Sequence, residues 1–199
     1  MKINFINNLS IIIPIFNEEE NIKNTLNDIK KYLDKKKTDA EIICVNDGST
    51  DKSLKIITKQ QKKIQNLKII NLKKNKGKGF AVKTGMLAAK KDYVLFMDAD
   101  NSTKIQEIEK FKTSIKTGAD IVIGSRALKS SIITKKQNFI RIFIGKFGNF
   151  LIQLFLIKGI KDTQCGFKLF KKEVSQKLFY QQKIDGWGFD VEILVLAKK

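Results

Sequence analysis

Leu9-Ser-Ile-Ile-Ile-Pro-Ile15 is a short apolar run closed by a proline, and Asn17-Glu-Glu-Glu20 follows it at once. Beyond the glutamates, Ile22, Leu26, Ile29 and Leu33 recur at helical spacing. A buried strand handing over to an amphipathic helix that runs to about Tyr32 is the expected reading. The same unit repeats outward from there. Glu41–Asn46 reads as a second strand, and the turn Asp47–Asp51 can cap a helix over Lys52–Gln65. Leu67–Leu72 is a third strand, with a loop at Lys73–Lys78 and a helix near Phe80–Lys90. Tyr93–Met97 is a fourth, a helix follows around Ile105–Lys116, and Ile121–Gly124 is a fifth. This alternation predicts an α/β fold, with a mostly parallel central sheet and helices on both faces. Such sheets bind ligands at the carboxyl ends of their strands.

The second half reads differently. Phe139–Ile157 is almost continuously apolar, with Arg141, Lys146, Asn149 and Gln153 forming a thin polar stripe. That pattern predicts a helix that is buried or lies in a membrane interface, since it is too charged to span a bilayer. Lys168–Phe170 is expected as a strand and Asp190–Lys199 as a helix. No repeat and no Pro/Gly-rich linker divides the chain, so a single domain over 1–199 is expected. No signal peptide or membrane anchor is read at the N-terminus.

Composition excludes much chemistry. The 199 residues contain no histidine, so imidazole bases, Ser-His-Asp or Cys-His catalysis and histidine-ligated metals are out. Two cysteines, Cys44 and Cys165, are too few for a disulfide framework and point to a reducing, cytoplasmic compartment. The net charge of +19 suggests anionic partners. Yet 37 of the 39 basic residues are lysine. Nucleic-acid readers favour arginine for its bidentate fork, so no nucleic-acid partner is expected. Where this chain does write arginine, at Arg126 and Arg141, a planar guanidinium has a reason to be there.

Four stretches carry candidate chemistry. Asp98-Ala-Asp100 closes the fourth strand, and residues i and i+2 project to one side of an extended chain. Two carboxylates placed so suit Mg²⁺ or Mn²⁺, although a polar strand end capping the next helix uses the same letters. Asn46-Asp-Gly-Ser-Thr-Asp51 follows another strand, and Asp47 there can hydrogen-bond a ribose or base. An Asx turn explains the same letters without a ligand. Asn75-Lys-Gly-Lys-Gly-Phe-Ala81 is a glycine-rich loop entering a helix, whose amides and Lys78 can receive an anion. Pro14, the only proline, should mark the edge of its strand.

In order and spacing these stretches resemble the family-two glycosyltransferases, which have the Rossmann-like GT-A nucleotide-sugar fold. The matching letters are Ile-Ile-Pro-Ile-Phe-Asn-Glu (12–18), Val-Asn-Asp-Gly-Ser-Thr-Asp (45–51), Asn-Lys-Gly-Lys-Gly-Phe-Ala (75–81) and Asp-Ala-Asp (98–100). Gly124-Ser-Arg126, Asp162-Thr-Gln-Cys-Gly-Phe-Lys168 and Trp187-Gly-Phe-Asp-Val-Glu192 resemble the polyprenyl-phosphate hexosyltransferase branch, including dolichyl-phosphate β-glucosyltransferases. The resemblance implies that Pro14, Asn17 or Glu18, and Asp47 contact the donor nucleoside. It places Lys78 near the base or diphosphate, and Asp98 and Asp100 on the metal. Arg126 would bind the donor diphosphate or the acceptor phosphate, and Gln164, Lys168 and Asp190 would line the acceptor side.

The implied reaction moves a hexose, with inversion, from a nucleotide sugar to a polyprenyl phosphate at a membrane surface. UDP-glucose is the preferred donor and GDP-mannose stays open. For a hydroxyl acceptor, as in surface-polysaccharide synthesis, Asp190 would serve as base. Relatives of this kind continue past the 190–199 helix, which leaves the completeness of the C-terminus open. Nucleotidyl transfer and a basic RNA-binding module are the competing classes; scarce aromatics in the basic loops speak against the latter.

Overall fold

The computed structural model describes residues 5–125 and 162–198. Arg126 and the apolar stretch 139–157, with Arg141 and Lys146, lie outside the described residues.

Among the described residues six strands form one sheet: β1 (Leu9–Ile15), β2 (Glu41–Asp47), β3 (Leu67–Leu72), β4 (Tyr93–Met97), β5 (Ile121–Ile123) and β6 (Phe167–Lys171). Their spatial order is β3-β2-β1-β4-β6-β5. The first four strands run parallel, as the alternating pattern predicts, with Ile11 of β1 registered against Ile42 and Leu95. β6 is antiparallel to both β4 and β5.

Helices α1 (Ile22–Lys36), α2 (Ser53–Gln61), α3 (Lys78–Ala88), α4 (Lys112–Lys116), α5 (Lys172–Gln181) and α6 (Phe189–Lys198) cover the sheet. Successive side chains of a strand face opposite ways, and the core divides accordingly. Ile11, Ile13 and Ile42 pack with Ile22, Leu26 and Ile29 of α1 and Ile57 of α2. Ile12, Ile43 and Phe96 pack with Val82 and Met86 of α3, Phe179 of α5 and Phe189 of α6. All seven residues of β1 and all seven of β2 are buried, which is why they read as unbroken apolar runs rather than alternating ones.

Several boundaries differ from expectation. The first helix begins at Ile22, not at Asn17, and continues past Tyr32 to Lys36. Asn17 takes a left-handed conformation (φ 55°), which breaks the run between strand and helix. The region after Asp100 is mostly a 3₁₀ helix, Ile105–Phe111, with α4 a short continuation. Glu109 at its end ties this layer to α1. It accepts from Tyr32 Oη at 2.7 Å and pairs with Lys36 at 2.6 Å and with Lys112.

Burial works to raise the Glu109 pKa, but hydrogen bonds from Lys112, Lys36 and Tyr32 prevail and hold it at about 2. A carboxyl held low contributes its stability above its ordinary 4.5 and loses it as pH falls toward 2. Glu109→Gln should therefore cost about 1 kcal/mol near neutrality. That difference should shrink below pH 4, read as urea midpoints of both proteins at several pH values.

Candidate functional site

Pairing of β1 with β2 runs to Ile15, but pairing with β4 stops at Ile12, two residues before Pro14. A residue without an N–H fits where the ladder opens. The carboxyl ends of β1, β2 and β4 thus splay around a cleft of about 530 Å³. Pro14, Glu18, Asp47, Lys78, Asp98 and Asp100 all line it. Six of the residues singled out in the sequence therefore meet in one place, at the strand ends where a parallel sheet forms its crevice.

Each is held differently. The buried Asp47 carboxylate accepts from the amides of Lys76 at 2.8 Å and Gly77 at 2.9 Å. Gly77 has φ 102°, and a Cβ there would lie 2.5 Å from the Asp185 carbonyl oxygen, so glycine is required. The Phe80 amide donates to that same carbonyl at 3.0 Å. Part of the loop's amide set is therefore used within the protein. Those of Lys76, Gly77 and Phe80 are already engaged, and Lys78 lines the cleft. Asp47→Ala should release the 76–77 turn and lower stability by about 1–3 kcal/mol, measured by urea melts.

Asn17 and Glu18 separate cleanly. Asn17 Oδ1 accepts from the amide of Thr50 at 2.9 Å, and the Asn17 amide donates to Ser49 Oγ at 3.0 Å. Asn17 therefore holds the 49–51 turn, and it is Glu18 that lines the cleft. Of the alternatives Asn17 or Glu18, Glu18 is the one on the cleft wall, and Asn17 shapes the neighbouring loop. Burial raises the Glu18 pKa, the Asn21 hydrogen bond opposes this, and the charges of Asp100, Asp98 and Asp51 raise it further.

Asp98 Oδ1 pairs with Lys78 Nζ at 2.8 Å. The carboxylate of Asp100, exposed, accepts from the Ser102 amide at 2.9 Å and from the Ser102 hydroxyl. Between them Ala99 is buried, its carbonyl accepting from Thr25 Oγ1 at 2.6 Å. Among the described residues no group of three or more His, Cys, Asp or Glu is arranged to hold a metal. Two carboxylates with an ammonium already resting on one still fit a hard divalent ion that takes its remaining ligands from substrate oxygens and water.

Farther along the sheet, Lys168 and Asp190 form a buried ion pair, and Lys168 Nζ also donates to the Cys165 carbonyl at 2.7 Å. Burial raises the Asp190 pKa and the Lys168 charge opposes it. Neither side chain lines the cleft, and Gln164 is exposed on the turn before β6. Ile15, Phe16, Asn75, Gly77, Ala81, Ala99 and Trp187 complete the lining. Trp187 gave a usable signal as the only tryptophan, bracketed by Gly186 and Gly188; its position over Lys78 came only from the fold.

Residues 10–179 match the family described as "Glycosyl transferase family 2". Dolichyl-phosphate β-glucosyltransferase of Dictyostelium discoideum is 38% identical over 96% of this chain, and that of Saccharomyces cerevisiae is 39% identical over 95%. The chain spans 62% of the length of each. Among solved structures, glucosyl-3-phosphoglycerate synthase from Mycobacterium tuberculosis, in complex with Mn²⁺, UDP-glucose and phosphoglyceric acid, aligns with a TM-score of 0.69 at 17% identity. That alignment covers 94% of this chain and 63% of the synthase. S. aureus TarS in complex with UDP-GlcNAc aligns at 0.62 and 20% identity, over 93% of this chain and 52% of TarS. At such identities the likeness concerns the fold.

Proposed function

This chain belongs to glycosyl transferase family 2 and has the GT-A fold, and from that premise we propose that it transfers glucose from UDP-glucose to a polyprenyl phosphate of the dolichyl type. The observation that carries this reading is the convergence of Glu18, Asp47, Lys78, Asp98 and Asp100 on one cleft at the strand ends. The names of the 38–39% identical relatives support the choice of acceptor and sugar.

In this reading Pro14, Glu18 and Asp47 frame the nucleoside, and Asp98 and Asp100 hold Mg²⁺ or Mn²⁺. The ion, when bound, neutralises charge on the leaving diphosphate. Lys78 leaves Asp98 for a diphosphate oxygen and adds a second positive charge there. An oxygen of the acceptor phosphate forms the new bond to the anomeric carbon as the bond to the diphosphate breaks, inverting the centre and releasing UDP. A phosphate monoester is already ionised near neutral pH, with a second pKa of about 6. It needs orientation rather than a general base, which suits a chain without histidine. Arg126 is proposed for the donor diphosphate or the acceptor phosphate. Gln164, Lys168 and Asp190 are proposed for the acceptor side, the buried pair shaping that wall rather than transferring a proton.

The lipid acceptor places the enzyme at a membrane surface on its cytoplasmic side, where the lysine surplus is attracted to anionic lipid. Among the described residues no helix is long and apolar enough to cross a membrane.

Incubation with labelled UDP-glucose or GDP-mannose, liposomes bearing polyprenyl phosphate, and Mn²⁺ or EDTA tests the proposal. Glucose-labelled lipid and UDP are expected with Mn²⁺ and not with EDTA. Mannose-labelled lipid would reassign the donor. Label on a sugar hydroxyl would reassign the acceptor, and pyrophosphate release would point to nucleotidyl transfer.

A further inference from the structure

We propose that Trp187 is the wall against which the donor's hexose ring stacks, making it the residue that sets how much more tightly the sugar nucleotide binds than the bare nucleotide. The proposal rests on the UDP-glucose reading of the cleft. Trp187 is the only tryptophan in the chain and is 73% exposed while lining that cleft. An indole left in water forgoes the burial that usually places tryptophan in a core.

Its surroundings say what the exposed ring is for. Lys78 Nζ lies 4.5 Å from the ring centre and 2.8 Å from Asp98 Oδ1. The indole therefore stands one ammonium away from the carboxylate proposed to gather ion and diphosphate. The residues proposed above to frame the nucleoside, Pro14, Glu18 and Asp47, come from the ends of β1 and β2. Trp187 comes instead from the loop leading into α6. In a nucleotide sugar the group beyond the diphosphate, away from the nucleoside, is the hexose. The C–H face of a pyranose carries partial positive charge and suits a π face, as the Lys78 ammonium does here.

The loop is anchored through its backbone, while the ring stays mostly exposed beside Lys78. The Asp185 carbonyl accepts from the Phe80 amide, and the amides of Lys183 and Ile184 donate to the Glu192 carboxylate at 2.9 Å each. Gly79 lies so close that a Cβ would be 2.5 Å from the Ile184 carbonyl oxygen. Backbone anchored at 183–185, just ahead of a largely exposed aromatic ring, is the arrangement of a preorganised binding wall.

Calorimetry of wild type, Trp187→Ala and Trp187→Phe with UDP and with UDP-glucose, both in Mn²⁺, tests the assignment. Trp187→Ala should raise the Kd for UDP-glucose about tenfold while leaving that for UDP within about twofold; Trp187→Phe should keep most of the affinity. As the sole tryptophan, Trp187 should also change its emission more with UDP-glucose than with UDP. That wild-type measurement decides the matter if Trp187→Ala fails to fold. Equal weakening of both ligands would make Trp187 a nucleoside wall and overturn the proposal. So would unchanged donor binding with a raised KM for polyprenyl phosphate, which would place it on the acceptor. Wild type that binds neither UDP nor UDP-glucose would overturn the donor reading itself.

Discussion

Gly166→Ala is expected to give a folded protein that has lost about a hundredfold or more of its transfer rate. Gly166 lies directly across from Asp98: the Asp98 amide donates to the Gly166 carbonyl at 3.0 Å, next to the Met97–Phe167 register pair of β4 and β6. A Cβ on residue 166 would sit 1.8 Å from Asp98 Oδ2 and 2.2 Å from its Cγ. The backbones are locked by the ladder, so the carboxylate must give way. Rotating one short side chain costs about 1–3 kcal/mol, in the range of ordinary overpacking. Function suffers far more, because the displaced carboxylate loses Lys78 and the position proposed for the metal; a misplacement of about 1 Å costs on the order of 10² in rate. Transfer from UDP-glucose at saturating Mn²⁺, alongside a thermal melt, separates the two effects. A variant that melts near wild type and transfers at the wild-type rate would remove Asp98 from the proposed metal site.

The same pairing shows where sequence reading reaches and where it stops. β3 and β4 match their expected limits at both ends, because short apolar runs bounded by loops leave little choice. The glycine-rich loop and the two acidic motifs were legible because each directly follows a strand, and parallel topology alone brings strand ends together. The start of α1 was not legible. Asn17 and its glutamates look like a helix opening, but Asn17 is captured by amides more than thirty residues away. Helix α5 escaped notice because it begins at Lys172 with no break after β6, and only three buried residues, Ser175, Leu178 and Phe179, mark its inner face among polar neighbours. The place of Gly166 depends on β6 running antiparallel beside β4, which the β-α-β rhythm of the first half does not announce. That Lys168 and Asp190 pair with each other was not legible either, because they lie on separate elements more than twenty residues apart.

That pair supplies the largest expected effect on stability. Lys168 is 2% exposed and Asp190 4%, and the Lys168 ammonium is satisfied by the Asp190 carboxylate and the Cys165 carbonyl. Burial drives the Asp190 pKa up, with a smaller push from the Asp98 charge; the Lys168 charge is the main force restraining it. Lys168→Met would leave a buried carboxylate with its principal partner gone. Breaking one half of a buried pair costs about 3–5 kcal/mol. For a chain of this size that is a fall in Tm of roughly 6–20 °C. Asp190 can escape by taking up a proton, so its pKa should rise further in the variant. A carboxyl raised in the folded state above its unfolded value contributes stability below the unfolded pKa and loses it as pH rises through the folded pKa. The deficit of Lys168→Met should therefore be smaller at pH 5 than at pH 8, measured by denaturant melts of both proteins. Lys168→Met combined with Asp190→Leu removes both charges and their desolvation cost, and should recover most of the lost stability. If Lys168→Met alone melts with wild type at pH 8, the ion pair does not hold β6 against α6. The acceptor wall would then owe its shape to the Phe96–Phe189 contact, with ring centroids 5.8 Å apart, and to the packing around it.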